Sequence, residues 1–176
     1  MAVRILTAAE LEQQAGRLAE ILADAVEANA GVSFLWPLDA ATARKFWLDL
    51  KPAVASGRTM LFTAEMEGAI AGVVLLHRAG PQNQPHRGDI AKLLVHRDFR
   101  RKGIGSTLMR AAEAKARELG LTLLTFDAVA HGPVEQFYKD LGFVCIGYIP
   151  KYAKASRGEN FEDTAIFYKT LTPPAP

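Results

Sequence analysis

The segment between Val95 and Ser106 limits the possible fold more than any other part of the chain. It reads Val-His-Arg-Asp-Phe-Arg-Arg-Lys-Gly-Ile-Gly-Ser. A β-rich run before it predicts a strand, and an amphipathic pattern that includes Leu108 and Met109 predicts a long helix after it. The chain must therefore pass from a strand into a helix through a basic loop that contains two glycines.

This loop has the features of an anion-binding site. Glycines let a ligand approach the backbone, and the free amides and dipole of a helix N-terminus favour a phosphate. Between Arg97 and Lys102 four basic residues stand against one acid, a local charge of +3 in a chain whose net charge is +2. The sequence therefore favours a pyrophosphate site over a basic turn that binds nothing.

Two common phosphate-binding motifs do not fit the loop. A Walker A loop places its lysine after the glycines, whereas Lys102 precedes Gly103. A dinucleotide-binding loop needs a third glycine where this chain has Leu108. Neither class of nucleotide-binding protein is therefore predicted.

The composition is that of one soluble domain. Of 176 residues 49% are apolar and 23% charged, and we predict a single domain over residues 1–171 with a flexible, proline-rich tail over residues 172–176. The net charge of +2 excludes the broad positive field of a protein that coats nucleic acid. The longest apolar run, residues 69–76, is too short to cross a membrane.

Cys145 is the only cysteine in the chain. An internal disulfide and a cysteine-based zinc cluster are therefore excluded, and no metal is expected. A reducing, cytoplasmic location fits a chain with this cysteine content.

Apolar periodicity predicts a mixed α/β fold with the element order β-α-α-β-β-β-α-β-α-β-β. The predicted strands cover residues 3–6, 59–65, 69–77, 89–96, 121–127, 143–149 and 164–171. The predicted helices run from a capping box at Thr7 to about Ala28, from Asp39 through Leu50, and over residues 103–119 and 134–141. Residues 150–159, rich in charge and glycine, are predicted as a loop.

Two further features concern the first half of the chain. The five acids of the first helix are interpreted as a solvated face; they are Glu10, Glu12, Glu20, Asp24 and Glu27. The loop over residues 31–38 carries Phe34 and Trp36, which are candidates to line a pocket, although core packing is the more common role for any one such ring.

The loop and a second motif resemble a known family. Arg100-Arg-Lys-Gly103-Ile-Gly105 matches the Arg/Gln-x-x-Gly-x-Gly/Ala signature of the GNAT superfamily of acetyl-CoA-dependent N-acetyltransferases. Phe137-Tyr138-Lys-Asp-Leu-Gly142-Phe143 matches the superfamily's helix that carries a tyrosine and is followed by Gly-Phe. The resemblance covers residues 3–171. It implies a mostly antiparallel central sheet flanked by helices.

A closer likeness exists within the superfamily. The segments at residues 32–39, 92–95, 126–127 and 164–171 resemble the tabtoxin-resistance acetyltransferase group. Those enzymes detoxify a β-lactam amino acid by acetylating its amine. The likeness implies a small polar amine as the acceptor.

The resemblance also implies how acetyl-CoA is bound. The pyrophosphate would lie on the loop, and the pantetheine arm would pair with the preceding strand as an added strand. Where many relatives have an asparagine that contacts the cofactor, seven residues before the tyrosine, this chain has His131. The implied cofactor-binding residues are Leu93, Leu94, Val95, Arg100, Arg101, Lys102, Gly103, Ile104, Gly105, Ser106 and His131.

The implied reaction is direct attack of a neutral amine on the thioester. Tyr138 matches the tyrosine that protonates the departing thiolate in the family. An alkylammonium has a pKa of about 10.4, so at neutral pH a base, or a site that disfavours the cation, must remove a proton. Asp89 and Asp127 are the candidate bases. Asp89 is slightly favoured by its position, although it could equally be a solvated strand residue, and Asp127 could instead pair with the cationic substrate.

The acceptor itself is not specified by the sequence. Phe34, Trp36, Asp127 and Tyr152 are the predicted substrate-binding residues. A small-molecule amine is favoured; a protein or peptide amine and a non-catalytic acyl-CoA sensor are the alternatives. Nucleic acid and membranes are not expected as partners, and a homodimer is left open.

Overall fold

The computed structural model describes residues 1–172, so most of the predicted tail, residues 173–176, lies outside the described residues. The strands are β1 (Ala2–Ile5), β2 (Thr59–Met66), β3 (Ala69–Arg78), β4 (Arg87–Val95), β5 (Leu123–Val129), β6 (Val144–Lys154) and β7 (Phe161–Thr170). The helices are α1 (Ala8–Glu27), α2 (Ala40–Asp49), α3 (Lys51–Ala55), α4 (Ile104–Glu118) and α5 (Pro133–Asp140), with a 3₁₀ turn at Arg97–Phe99.

The seven strands form one sheet in the order β1-β2-β3-β4-β5-β7-β6. All neighbours are antiparallel except β4 and β5, which run parallel. The predicted mixed, mostly antiparallel α/β sheet is therefore confirmed.

The local signals in the sequence form as predicted. Thr7 caps α1 through a reciprocal bond with Glu10, and Asp39 caps α2 by accepting from the amide of Thr42 at 2.9 Å. Glu67 and Gly68 both have positive φ in the tight turn between β2 and β3, as the predicted hairpin requires.

Two elements differ from the prediction. The helix α3 was not predicted, and β6 continues to Lys154 through part of the predicted loop over residues 150–159. Proline normally ends a strand because it lacks a donor, but β6 is the edge strand of the sheet and tolerates Pro150 there. A register irregularity between Ile149 and Ala153 lets the pairing with β7 resume.

Each face of the sheet buries its own core. The helices α4 and α5 cover one face with residues such as Leu108 and Tyr138, and α1 and α2 cover the other with residues such as Leu18 and Trp47. The result is a three-layer α/β/α arrangement. Within residues 1–172 no helix is long and apolar enough to cross a membrane.

Candidate active site

The parallel strands β4 and β5 separate after a short paired stretch. Their register covers only three positions, from Arg87 opposite Leu123 to Asp89 opposite Thr125. Beyond that point the described chain places no strand between them, and cavities open there. One edge of β4 is therefore available to an extended ligand.

A bulge lies in β4 where the strands separate. Val73 on β3 pairs with Leu94 and Leu75 pairs with Ala91, so β4 has one extra residue between these pairs. Lys92, within the bulge, has φ of +51°. Bulges of this kind redirect side chains and are common beside functional sites.

The loop between β4 and α4 presents backbone donors to the same opening. Arg101 and Gly103 have positive φ, and Gly103 is the N-cap of α4. The first helical bond runs from the Thr107 amide to the Gly103 carbonyl at 3.1 Å, so the amides of residues 104–106 have no helical partner. A Cβ at Gly103 would meet nothing within 4 Å, so the space above the loop is open. The donor set and the open space fit a pyrophosphate.

A cleft of about 490 Å³, here called the loop cleft, lies between this loop, β4 and α5. It brings together nine of the eleven predicted cofactor-binding residues: Leu93, Leu94, Val95, Arg100, Arg101, Gly103, Ile104, Gly105 and Ser106. From α5 come Pro133, Val134 and Phe137.

The two remaining residues of that prediction do not line the loop cleft. Lys102 extends over the ring of Phe99 at 5.3 Å from its centroid. His131 stacks on Tyr148 with 4.8 Å between ring centroids, and its backbone amide donates to Glu135 at 3.1 Å. Its side chain therefore points towards β6 instead of the cleft.

Asp24 connects α1 to the loop. The prediction that all five acids of α1 form a solvated face is therefore wrong for Asp24, which is buried. Asp24 is 7% exposed, and its carboxylate accepts from the guanidinium groups of Arg97 and Arg100, the latter at 2.9 Å. It also accepts from the Arg97 backbone amide at 3.0 Å. The charge is buried because three donors satisfy it. Much of the arginine charge near the loop is therefore already paired within the protein.

A second cavity, of about 670 Å³ and here called the central cavity, adjoins the loop cleft. Both are lined by Ala30, Val32, Leu93, Arg100, Pro133 and Val134, so they are continuous. Lys92, Asp127 and Tyr138 line the central cavity.

Tyr138 lies in an aromatic cluster at this cavity. The residue is 7% exposed, and its ring centroid lies 4.4 Å from that of Phe126 and 5.5 Å from that of Phe167. Burial, with a contribution from the Asp127 charge, raises the pKa of the Tyr138 hydroxyl above its usual value. The hydroxyl therefore keeps its proton at neutral pH.

Asp127 lies where two cavities meet. It lines the central cavity and also a smaller one of about 250 Å³, the aromatic cavity, together with the predicted residues Phe34 and Tyr152. The Thr164 hydroxyl lies 3.4 Å from its carboxylate. Trp36, the fourth predicted substrate residue, does not line these cavities; it is half exposed, with the Arg157 guanidinium 4.4 Å from its ring centroid.

Asp89 lies at the paired end of the two strands. Its carboxylate accepts from the Thr125 hydroxyl at 2.6 Å and from the Arg87 guanidinium. It lines neither the loop cleft nor the central cavity. The structure therefore brings Asp127 and Tyr138 to one cavity and leaves Asp89 outside it.

Lys92 and Asp24 were not predicted as functional residues. Lys92 is the single charge in the apolar run over residues 90–95, and that isolation is the signal that could have identified it. Its ammonium lies 5.9 Å from the Phe34 ring centroid and 5.6 Å from that of Phe46. Asp24 carried no such signal, because an acid on an amphipathic helix is usually solvated.

Comparisons with known proteins agree with this geometry. The model of the acetyltransferase (GNAT) family matches residues 18–143. A tRNA(Met) cytidine acetyltransferase, TmcA, from Aeropyrum pernix is 34% identical over 97 residues, which are 54% of this chain and 13% of that protein. The chain therefore spans about an eighth of that relative.

Solved structures share the fold. Ribosomal-protein-alanine N-acetyltransferase from Brucella melitensis is 23% identical, with a TM-score of 0.77 over 97% of this chain and 100% of the other. The protein yncA from Salmonella typhimurium, described with its cofactor acetyl-CoA, is 15% identical, with a TM-score of 0.75 over 100% of this chain and 96% of the other.

Proposed function

Because this chain belongs to the acetyltransferase (GNAT) family, we propose that it transfers an acetyl group from acetyl-CoA to the primary amine of a small molecule. The observation that carries the proposal is the continuity of the two cavities. The backbone amides at the start of α4, which suit a phosphate, face the loop cleft. The loop cleft shares a wall with the central cavity, which is lined by Asp127 and Tyr138. Cofactor and acceptor can therefore meet where the strands separate.

The loop and β4 would hold the cofactor. The amides of residues 104–106 and the nearby Arg101 would take the pyrophosphate, and the free edge of β4 at Leu93 would pair with the pantetheine arm. When bound, acetyl-CoA supplies the acetyl group as a reactive thioester. Arg100 would contribute less charge than the sequence motif suggests, because Asp24 already binds it.

Tyr138 would act as the proton donor to the departing thiolate. Its hydroxyl is protonated at neutral pH, as in any tyrosine with a pKa of about 10, and burial raises that pKa further. The surrounding rings of Phe126 and Phe167 pack against the side chain and hold it in place. A positioned acid of this kind typically accelerates a reaction about 10²–10⁴-fold.

Asp127 would bind the ammonium form of the acceptor and orient its nitrogen. Attack requires the neutral amine, so a proton must leave towards a base. Asp89 would have to take that proton through water, since its carboxylate lies outside the central cavity. Asp127 therefore contacts the amine directly, and Asp89 is a relay candidate.

The size of the site supports a small acceptor. The aromatic cavity measures about 250 Å³ and is bounded by Phe34 and Tyr152. The likeness to the tabtoxin-resistance group points to an amino-acid-like or toxin-like amine. A cytoplasmic location and a single domain over residues 1–171 complete this proposal.

A nucleic-acid acceptor is the alternative raised by the similarity to TmcA, whose name gives tRNA as its target. Against it stands the low net charge of +2, since RNA binding usually depends on many unpaired basic residues. A peptide acceptor is the alternative raised by the ribosomal-protein-alanine enzyme. An acyl-CoA sensor would bind the cofactor without turnover.

Release of free thiol from acetyl-CoA distinguishes these functions. The purified protein is incubated with a panel of small amines, an alanine-terminated peptide and unmodified tRNA. We expect thiol release with at least one small amine above the rate without acceptor. Release only with peptide or tRNA would refute the small-molecule proposal, and tight acetyl-CoA binding with no release from any acceptor would identify a sensor.

A further inference from the structure

The β4 bulge places a lysine inside the central cavity. Lys92 has φ of +51°, a conformation that residues other than glycine rarely adopt. Its neighbours Ile90 and Leu94 are buried in the core, whereas Lys92 lines the cavity beside Asp127. The bulge therefore lets an otherwise apolar strand present one charged side chain to the cavity.

The Lys92 ammonium is held by ring faces and not by an acid. It lies 5.9 and 5.6 Å from the ring centroids of Phe34 and Phe46. Burial lowers the pKa of Lys92, and among residues 1–172 only the Asp127 carboxylate charge is found to oppose that effect. No salt bridge within 4.0 Å joins the two in this part of the chain.

Four other cations are already paired with carboxylates. Arg87 is bound by Asp89, Arg97 and Arg100 are bound by Asp24, and Lys169 lies 2.7 Å from Glu113. A half-buried ammonium without such a contact gains more from an incoming anion than a paired one does. The central cavity thus offers an anion site at Lys92 and a cation site at Asp127.

We propose that Lys92 binds a carboxylate of the acceptor, so that the acceptor is an amino acid or another small amine that carries its own carboxylate. This inference rests on the proposed function and specifies its substrate class. Asp127 takes the ammonium of the acceptor while Lys92 takes the carboxylate. The Phe34 ring lines the aromatic cavity together with Asp127, and its centroid lies 5.9 Å from the Lys92 ammonium.

A series of substrates of increasing length, each with and without a carboxylate, tests the proposal. The probes are ω-amino acids from glycine to 6-aminohexanoate and the common α-amino acids, each compared with its primary amide, which lacks the negative charge. We expect kcat/KM for the best carboxylate to exceed that for its amide by about 10- to 100-fold, the size of a charge-assisted contact. A preference for the amides would overturn the proposal.

Two variants separate charge from packing. Lys92→Met keeps the contacts with Phe34 and Phe46 but removes the charge, and Lys92→Arg keeps the charge. We expect Lys92→Met to abolish the preference for carboxylates, so that kcat/KM falls about 10- to 100-fold further for each carboxylate than for its amide. Lys92→Arg should retain part of the preference. An equal loss on carboxylates and amides would show that Lys92 acts on every amine and would refute its role in recognition.

A binding measurement keeps the test independent of turnover. Saturation-transfer NMR of the same amino acids is recorded with the parent protein and with Lys92→Met. Binding that disappears in Lys92→Met supports the carboxylate site even if no acceptor is acetylated, in which case the proposed function alone fails. Equal binding, or none, to both proteins overturns the carboxylate site.

Discussion

The loop cleft and the central cavity share a wall but are built from different parts of the chain. In the loop cleft the anion donors are backbone amides, and Asp24 already pairs with the nearby Arg97 and Arg100. In the central cavity the groups proposed to act are side chains that line it, those of Lys92, Asp127 and Tyr138. Changes in the loop should therefore alter cofactor affinity alone, and changes in the central cavity should alter turnover or choice of acceptor.

The largest effect is expected from Gly103→Asp. Gly103 has φ of +77° with open space above it, so the new carboxylate would face the bound pyrophosphate at close range. We expect a loss of acetyl-CoA affinity of about 100-fold or more, measured by calorimetry. Gly103→Asn is the control, since asparagine has the same size, tolerates this φ and carries no charge. Equal acetyl-CoA affinities for Gly103→Asp and the parent, with both folded, would show that this loop does not bind the pyrophosphate.

Tyr138→Phe should slow turnover without loss of cofactor affinity. The expected decrease in kcat is about 100-fold, because the hydroxyl that protonates the thiolate is missing. Since burial raises the Tyr138 pKa above its usual value of about 10, the parent enzyme should show no alkaline loss of activity from this group below that pH. Steady-state kinetics from pH 6 to about pH 10 measure both effects.

Tyr168→Phe provides the matched control, because Tyr168 lies on β7 and lines neither the loop cleft, the central cavity nor the aromatic cavity. Its kcat should stay within about twofold of the parent. If Tyr138→Phe behaves in the same way while chemistry limits the rate, Tyr138 serves only in packing.

The two aspartates should differ in their pH dependence. Asp127→Asn removes the ammonium partner, so KM for the acceptor should rise about tenfold at every pH below the pKa of the amine. If Asp89 relays the proton, Asp89→Asn should lower kcat most at low pH, where neutral amine is scarce, and high pH should partly restore it. A parent-like pH–rate profile for Asp89→Asn would exclude Asp89 from the mechanism.

The smallest effect is expected from the contact between α1 and the loop. Asp24→Asn keeps the shape of the side chain but removes the charge that holds Arg97 and Arg100. We expect KM for acetyl-CoA to rise about fivefold with kcat unchanged, because the loop is held less firmly. Glu27→Gln, which removes only an exposed partner of Arg97, should change KM by less than about twofold. Identical values for the two variants would show that Asp24 does not position the loop.

The same contrast explains what the sequence could predict. The loop cleft depends on glycines, a strand end and a helix start, which are local features, so most of its predicted residues do line one cleft. The element order and the mixed sheet were also predictable, because they follow from apolar periodicity and capping residues. The extension of β6 past Pro150 was not predictable from the sequence, because it depends on the position of β6 at an edge of the sheet.

The central cavity depends on contacts between distant parts of the chain. Lys92 meets Phe34 and Phe46 only because α2 and the loop before it fold over β4. Asp24 is buried only because Arg97 and Arg100 lie 73 and 76 positions further along the chain and pack against α1. Likewise His131 turns towards Tyr148, whose place beside it is set by the pairing of β6 with β7. Spacing along the sequence carries none of this information.

The most direct test follows the acetyl group itself. The protein is incubated with the amine that releases the most thiol and with acetyl-CoA labelled with ¹³C in its acetyl group, and the products are analysed by mass spectrometry. We predict one labelled acetyl group on the acceptor nitrogen for each thiol released, with both lost in Gly103→Asp and product formation slowed in Tyr138→Phe. Thiol release without an acetylated amine, or equal product formation in Gly103→Asp and the parent, would contradict transfer from the loop cleft to the central cavity.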